Sequence, residues 1–143
     1  MGIAIEVKDI KKNYGRIEAL RGISLSVPEG EIFGLLGANG AGKSTLIQIL
    51  VGALKADSGE ATVLGMDTQK QKHELRLKLG YMPQQAALYE DLTARDNVRF
   101  FGMARSIPDL EKRISEVLGF LNLGDRANDP VYGFSGGMKQ RLS

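Results

Sequence analysis

A chain of 143 residues, 43% hydrophobic and 25% charged, has the length and balance of one ordinary globular domain or of part of a larger one. Its formal charge of +2 is too small to argue for a nucleic-acid or membrane surface, and the absence of cysteine excludes a disulfide framework and a thiolate metal site, as suits a reducing cytosol. No apolar run approaches membrane-spanning length, and the stretch from Met1 to Glu6 carries a charge where a signal peptide needs continuous apolar sequence.

Ile3, Ile5 and Val7 alternate with smaller or charged residues, as do Ile23, Leu25 and Val27, so both stretches read as half-buried strands. Between them Asn13-Tyr14-Gly15 reads as a turn, and the short basic pair Lys11-Lys12 as its solvated flank. After a second turn at Pro28-Glu29-Gly30, the run from Glu31 to Leu36 is apolar almost throughout and predicts a central strand buried on both faces. Helical spacing of Leu46, Ile49, Leu50 and Ala53 predicts a helix over 43–54, closed by turn chemistry at Asp57-Ser58-Gly59. A strand from Ala61 to Leu64, a charged helix around Leu75 and a short strand from Leu79 to Met82, halted by Pro83, follow. Beyond Gln84 the character turns helical. Thr93-Ala94-Arg95-Asp96 resembles a capping box, and Leu110, Ile114, Val117, Leu118 and Leu121 form one apolar stripe. A subdomain change is therefore placed near Gln84 to Ala86, dividing a part with the strands (1–85) from a helical part (86–143). No internal repeat or low-complexity segment is evident.

The strongest signal is Gly37-Ala38-Asn39-Gly40-Ala41-Gly42-Lys43-Ser44-Thr45, which fits the phosphate-loop (Walker A) pattern between a strand and a helix. At average glycine usage a bare match in a chain of this length arises by chance about once in a hundred, and the flanking elements make chance rarer still. Glycines at 37, 40 and 42 let backbone N–H groups approach a polyphosphate while the following helix turns its positive end there. Lys43 would reach the β- and γ-phosphates, Ser44 would offer its hydroxyl to Mg²⁺, and Thr45 would add a contact to the α-phosphate. Many NTPases share such a loop. A GTPase would also need an Asn-Lys-x-Asp run, and the sequence contains none.

A second glycine pair stands in Phe134-Ser135-Gly136-Gly137-Met138-Lys139-Gln140-Arg141-Leu142-Ser143. Tyr14, the phosphate loop, Gln84 after an apolar stretch, and Ser135-Gly136-Gly137 occur in an order that resembles the nucleotide-binding domain of ATP-binding cassette (ABC) proteins. The resemblance runs from Ile3 to Ser143. It implies an α/β fold, a P-loop NTPase core with an antiparallel β subdomain and a helical subdomain, here ending before the Walker B strand. It implies ATP and Mg²⁺ as ligands. Tyr14 would stack on the adenine, Gln84 (less so its neighbour Gln85) would touch Mg²⁺ or the attacking water, and Lys43 with Gln84 would serve the reaction. Ser44 and Gln84 are the implied Mg²⁺ contacts. Asn39, Gly40, Ala41 and Gly42 would line the phosphates.

In this family the Ser-Gly-Gly turn faces the nucleotide held by a second domain, so Ser135 and Gly137 would grip the γ-phosphate on the partner's loop, with Gly136 between them also among the nucleotide-contacting residues. A plain helix N-cap by Ser135 is compatible with that role. Phe134 and Met138 depart from the usual Leu and Gln of the signature: Phe134 keeps apolar packing, and Met138 removes one amide. The later Asp, Glu and histidine that hydrolysis requires in this family do not occur in the sequence, and His73 reads as a solvated helix residue. The chain therefore reads as an amino-terminal portion that binds nucleotide and is by itself inactive.

The run from Gly80 to Gly102 is similar to cassettes of exporters (ABC-2-like) that move drugs, lipids or polysaccharides. In those the region of Ala86 to Tyr89 docks a membrane subunit, although an apolar patch there could equally plug the helical part. The implied partners are a second nucleotide-binding domain and a transmembrane permease, with no nucleic acid. The implied location is cytoplasmic, peripheral on the inner face of the cell membrane. Two other functions stay open on the sequence: a non-catalytic nucleotide-binding fragment, and a soluble ABC ATPase of translation or DNA repair.

Overall fold

The computed structural model describes residues 2–84 and 87–143, which form two compact units, Met1–Tyr81 and Met82–Ser143. Gln85 and Ala86, on which the expected subdomain change turned, lie outside the described residues, as does the start of the Ala86 to Tyr89 patch.

In the first unit β1 (Ile3–Tyr14) and β2 (Ile17–Pro28) form a long antiparallel hairpin, extending both expected strands toward a shared tip. The turn sits one step later than the sequence suggested, at Gly15-Arg16, and Tyr14 is the last residue of β1, opposite Ile17. Gly15, at φ 58, supplies the positive first position that two-residue hairpins favour. β3 (Ser58–Val63) pairs with the other edge of β1 and β4 (Met66–Asp67) with β3, giving the order β2-β1-β3-β4.

One face of this sheet is apolar and needs cover. The helix α1 (Lys43–Leu50) supplies it through Leu46 and Ile49, packed with Val7, Ile10, Leu20 and Ala61. α1 stops at Leu50 rather than continuing to Leu54, and Gly52 at φ 69 turns the chain away. α2 (Lys72–Lys78) buries Leu75 against Val63 and Met66 and leaves His73 exposed.

Two expected strands are not formed. Residues 31–36 run without ladder partners; Ile32 and Leu36 are fully exposed, Phe33 is half exposed, and Leu35 alone of these leans on the core. Apolar composition makes a segment fit for a buried strand, but a strand also needs a neighbouring strand to pair its N–H and C=O groups, and the described sheet pairs none with this segment. Residues 79–82 likewise form no strand of the described sheet. Leu79 donates its N–H to the Leu75 carbonyl to close α2, and Tyr81 and Met82 are exposed.

The second unit is built on α3 (Ala94–Ala104) and α4 (Leu110–Phe120). Thr93 caps α3 as expected: its Oγ1 accepts from Asp96 N–H at 3.0 Å, worth about 1 kcal/mol. The Asp96 carboxylate bonds the Thr93 hydroxyl instead of reaching back to its backbone. From the stripe on α4, Ile114 and Leu118 are fully buried with Leu123, Val131 and Phe134, each contributing roughly 2 kcal/mol by burial, whereas Val117 stays 40% exposed. Asn97, the one buried amide of this unit among the described residues, accepts from Tyr89 N–H and donates to the Tyr89 and Thr93 carbonyls, fixing the chain ahead of α3. α5 (Gly136–Leu142) is held to the same stretch by Lys139, which donates to Glu90 at 2.7 Å.

Candidate functional site

The phosphate loop begins where the unpaired segment 31–36 ends and closes on α1. Gly42 is the N-cap of α1 in the left-handed region (φ 85, ψ 3), and no side chain caps the helix. Its first turn carries no acidic residue, so the positive helix end is neutralised neither by a side-chain cap nor by a carboxylate of its own first turn. Glycine is required at 42 twice over, by the positive φ and by proximity. A Cβ there would overlap the Ala19 carbonyl oxygen and stand 2.7 Å from Leu20 Cδ2.

Lys43 folds back over the loop and donates to the carbonyls of Gly37 (2.6 Å) and Ala38 (2.7 Å). Ala41 N–H in turn donates to Ala38 (3.1 Å), so the loop is a closed ring with the ammonium at its centre. Asn39, Gly40, Ala41, Gly42, Lys43, Ser44 and Thr45 line an open pocket of about 360 Å³ together with Tyr14. The expected base-stacking ring and the expected phosphate loop thus share one concavity of the first unit. Gly37 joins it through the carbonyl that Lys43 grips.

Sequence reasoning missed the rest of this pocket. Ile17, Glu18 and Ala19 of β2 complete the lining. Ile17, an apolar side chain 70% exposed at a hairpin tip, was the signal that could have found them. It also misread Lys12, which is not a solvated flank but a β1 residue whose side chain is only 15% exposed. Lys12 Nζ donates to Asp57 Oδ1 at 2.7 Å and lies 5.9 Å from the Tyr14 ring centroid. The other oxygen of Asp57 accepts from Asn13 N–H at 2.7 Å. These two bonds, the Lys12 one first, hold the Asp57 carboxyl below the usual carboxylate range.

Gln84 and Ser135-Gly136-Gly137 belong to the second unit and are described there. Gln84 is exposed at a bend; Gln85 lies outside the described residues. Ser135 is the N-cap of α5: its Oγ accepts from Met138 N–H at 3.3 Å, a long bond, and its carbonyl accepts from Lys139 N–H at 2.9 Å. Phe134, buried in the helical core with the Arg126 guanidinium 5.3 Å from its ring, anchors the turn from below. Met138 packs on the same core, so the residue that departs from the usual signature here serves packing. Ser135, Gly136 and Gly137 are all exposed.

The family described as ABC transporter matches residues 20–143. The linearmycin resistance ATP-binding protein LnrL of Bacillus subtilis is 43% identical over 141 residues, covering 97% of this chain and 45% of that protein. The daunorubicin resistance ATP-binding protein DrrA2 of Streptomyces coeruleorubidus is 40% identical, over 99% of this chain and 44% of that protein. The chain therefore spans less than half the length of these relatives. Among solved structures, the dimeric post-hydrolysis state of the ATP-binding cassette MJ0796 bound to ADP and Pi superposes with a TM-score of 0.82 and 29% identity, over 96% of this chain and 66% of that one.

Proposed function

The chain belongs to the ABC transporter family, and from that premise we propose that it is the ATP-binding part of a motor subunit that drives export across a membrane. The observation that carries this reading is the single pocket in which Tyr14 faces a glycine loop with a lysine at its centre. An adenine on the Tyr14 ring and a triphosphate along the loop fit that arrangement: aromatic faces accept a base at one end, and N–H groups with Lys43 accept phosphates at the other. ATP is the ligand of choice by family. Mg²⁺ fits the donor set, because it takes few protein oxygens beside phosphate oxygens and waters, and the exposed Ser44 hydroxyl lines the same pocket. When bound it would neutralise phosphate charge, with Ser44 as the side chain of this pocket that would hold it and Gln84 a contact expected from the family resemblance alone.

Lys43 would leave its two carbonyls for the β- and γ-phosphates, and Thr45 would approach the α-phosphate. Ser135, Gly136 and Gly137 would meet the γ-phosphate of a second nucleotide-binding domain, so that ATP joins two domains face to face. The dimeric relative supports that assembly. Hydrolysis would require the later Asp, Glu and histidine of the family, with Gln84 in the role the family gives its glutamine. Among the described residues no helix is long and apolar enough to cross a membrane, and a permease partner at the cytoplasmic face would provide the membrane path. The resistance functions in the relatives' names favour an exporter.

Calorimetric titration of the full-length protein with Mg-ATP tests the reading. Saturable binding, together with ATP-dependent dimers in gel filtration, is expected. Absence of binding by ATP would overturn the assignment of the pocket; binding without dimers would overturn the role of the Ser135 turn alone.

A further inference from the structure

Along the edge of β1 that faces β3, the ladder runs evenly from Ile5 to Lys8, then shifts register and ends with Lys11 opposite Ser58. β3 begins at Ser58, so its backbone has no strand residue to set against Lys12 and Asn13. Asp57 takes over. Its N–H donates to the Lys11 carbonyl at 2.9 Å, Oδ1 accepts from Lys12 Nζ at 2.7 Å, and Oδ2 accepts from Asn13 N–H at 2.7 Å. Three successive residues of β1 are thus held by one residue, and the next in line is Tyr14.

The other end of the connection matters as much. Asp57 follows the turn that leaves α1, and α1 starts at the phosphate loop. The carboxylate therefore ties the tip of the hairpin to the segment whose far end holds the phosphates. Lys12 does not line the pocket, although its ammonium stands 5.9 Å from the Tyr14 ring centroid. An ammonium near the ring that stays out of the pocket attracts the ring electrostatically without occupying ligand space. β2 completes the frame, pairing Asn13 with Glu18 and Tyr14 with Ile17.

We infer that Asp57 is a positioning residue for Tyr14: through Lys12 and Asn13 it fixes the ring relative to the phosphate loop and so sets how well the base of a nucleotide is held. The inference rests on the reading of Tyr14 as the base-stacking side chain. It assigns Asp57 no contact with ligand. Its removal should leave the phosphate grip intact and weaken only ligands that carry a base.

The test compares affinities for ATP and for inorganic tripolyphosphate in the full-length protein, by titration calorimetry, for Asp57→Ala, Asp57→Asn, Tyr14→Ala and the Asp57→Ala/Tyr14→Ala pair. Asp57→Ala should weaken ATP roughly three- to tenfold and leave tripolyphosphate within about twofold, and should add nothing in the Tyr14→Ala background, as expected of two residues acting in series. Asp57→Asn keeps an acceptor for Asn13 but loses the charge facing Lys12; it should fall between wild type and Asp57→Ala, and it serves if Asp57→Ala folds poorly. Equal weakening of both ligands, or additive losses in the double variant, would reduce Asp57 to general support of the sheet and overturn the inference. If Tyr14→Ala leaves the preference for ATP over tripolyphosphate unchanged, the stacking role itself fails and takes this inference with it. Loss with Tyr14→Ala but none with either Asp57 variant sinks the Asp57 role alone.

Discussion

The molecule carries two glycine-served turns at the start of helices, and they differ in who needs the glycine. At Gly42 the chain itself does: φ is positive and a Cβ would strike the Ala19 carbonyl. At Gly136 and Gly137 the chain has no such need, because both are helical with ordinary φ and nothing stands within 4 Å of a Cβ on either. A helix of seven residues would be more stable with alanine at either place. The caps differ in the same sense. No side chain caps α1, whereas Ser135 caps α5 with its own hydroxyl. One turn is shaped by the fold and leaves its N–H groups for a ligand. The other keeps bare backbone that its own packing does not require, which on the proposed reading serves close approach of a partner's phosphate.

Substitutions can break or sharpen this contrast. Gly42→Ala should destabilise the first unit the most, by roughly 2–5 kcal/mol from positive-φ strain and overpacking together, read as a drop in denaturant midpoint. Survival with near-native stability would show that fold and loop are less coupled than the geometry says. Lys43→Ala should leave stability nearly unchanged and weaken ATP by roughly 10- to 150-fold, the equivalent of about 1.5–3 kcal/mol for charge-assisted bonds. Unchanged affinity in calorimetry would remove the loop from the site. Ser135→Ala should cost about 1 kcal/mol of cap energy, visible as faster amide exchange at Met138. Gly137→Ala should have the smallest effect on folding, a gain of up to about 1 kcal/mol, while weakening ATP-dependent dimers of the full-length protein. Dimers as strong as wild type would return the second turn to a plain helix start.

Much of the site was legible because it is local. The spacing of Gly37, Gly40, Gly42 and Lys43 fixes loop chemistry within a few residues, and Thr93 reads as a cap from its own neighbours. The stripe of Ile114 and Leu118 declares a buried helix face by period alone. What escaped depends on residues distant in sequence. Asp57 looked like turn chemistry because its partners, Lys12 and Asn13, lie more than forty residues earlier, and Lys12 looked solvated for the same reason. Residues 31–36 carry the composition of a central strand, yet a ladder is a property of two segments, and composition names only one. Leu79 to Met82 failed likewise: its first residue was taken by the end of α2.

On the proposed reading, the grip of Lys43 on the carbonyls of Gly37 and Ala38 would give nucleotide capture the character of a ligand exchange around one ammonium. The stem of the side chain is ordered before any phosphate arrives, so the rotamer entropy of a lysine, up to about 2 kcal/mol, is already spent in folding. Two of the three ammonium hydrogens are engaged by carbonyls, so on the proposed reading an arriving oxygen can take the third with no bond broken, and adjacent phosphates then replace the two carbonyls in turn. The latch that the loop closes on itself would thus open stepwise, and only a ligand with several oxygens would replace all of its bonds.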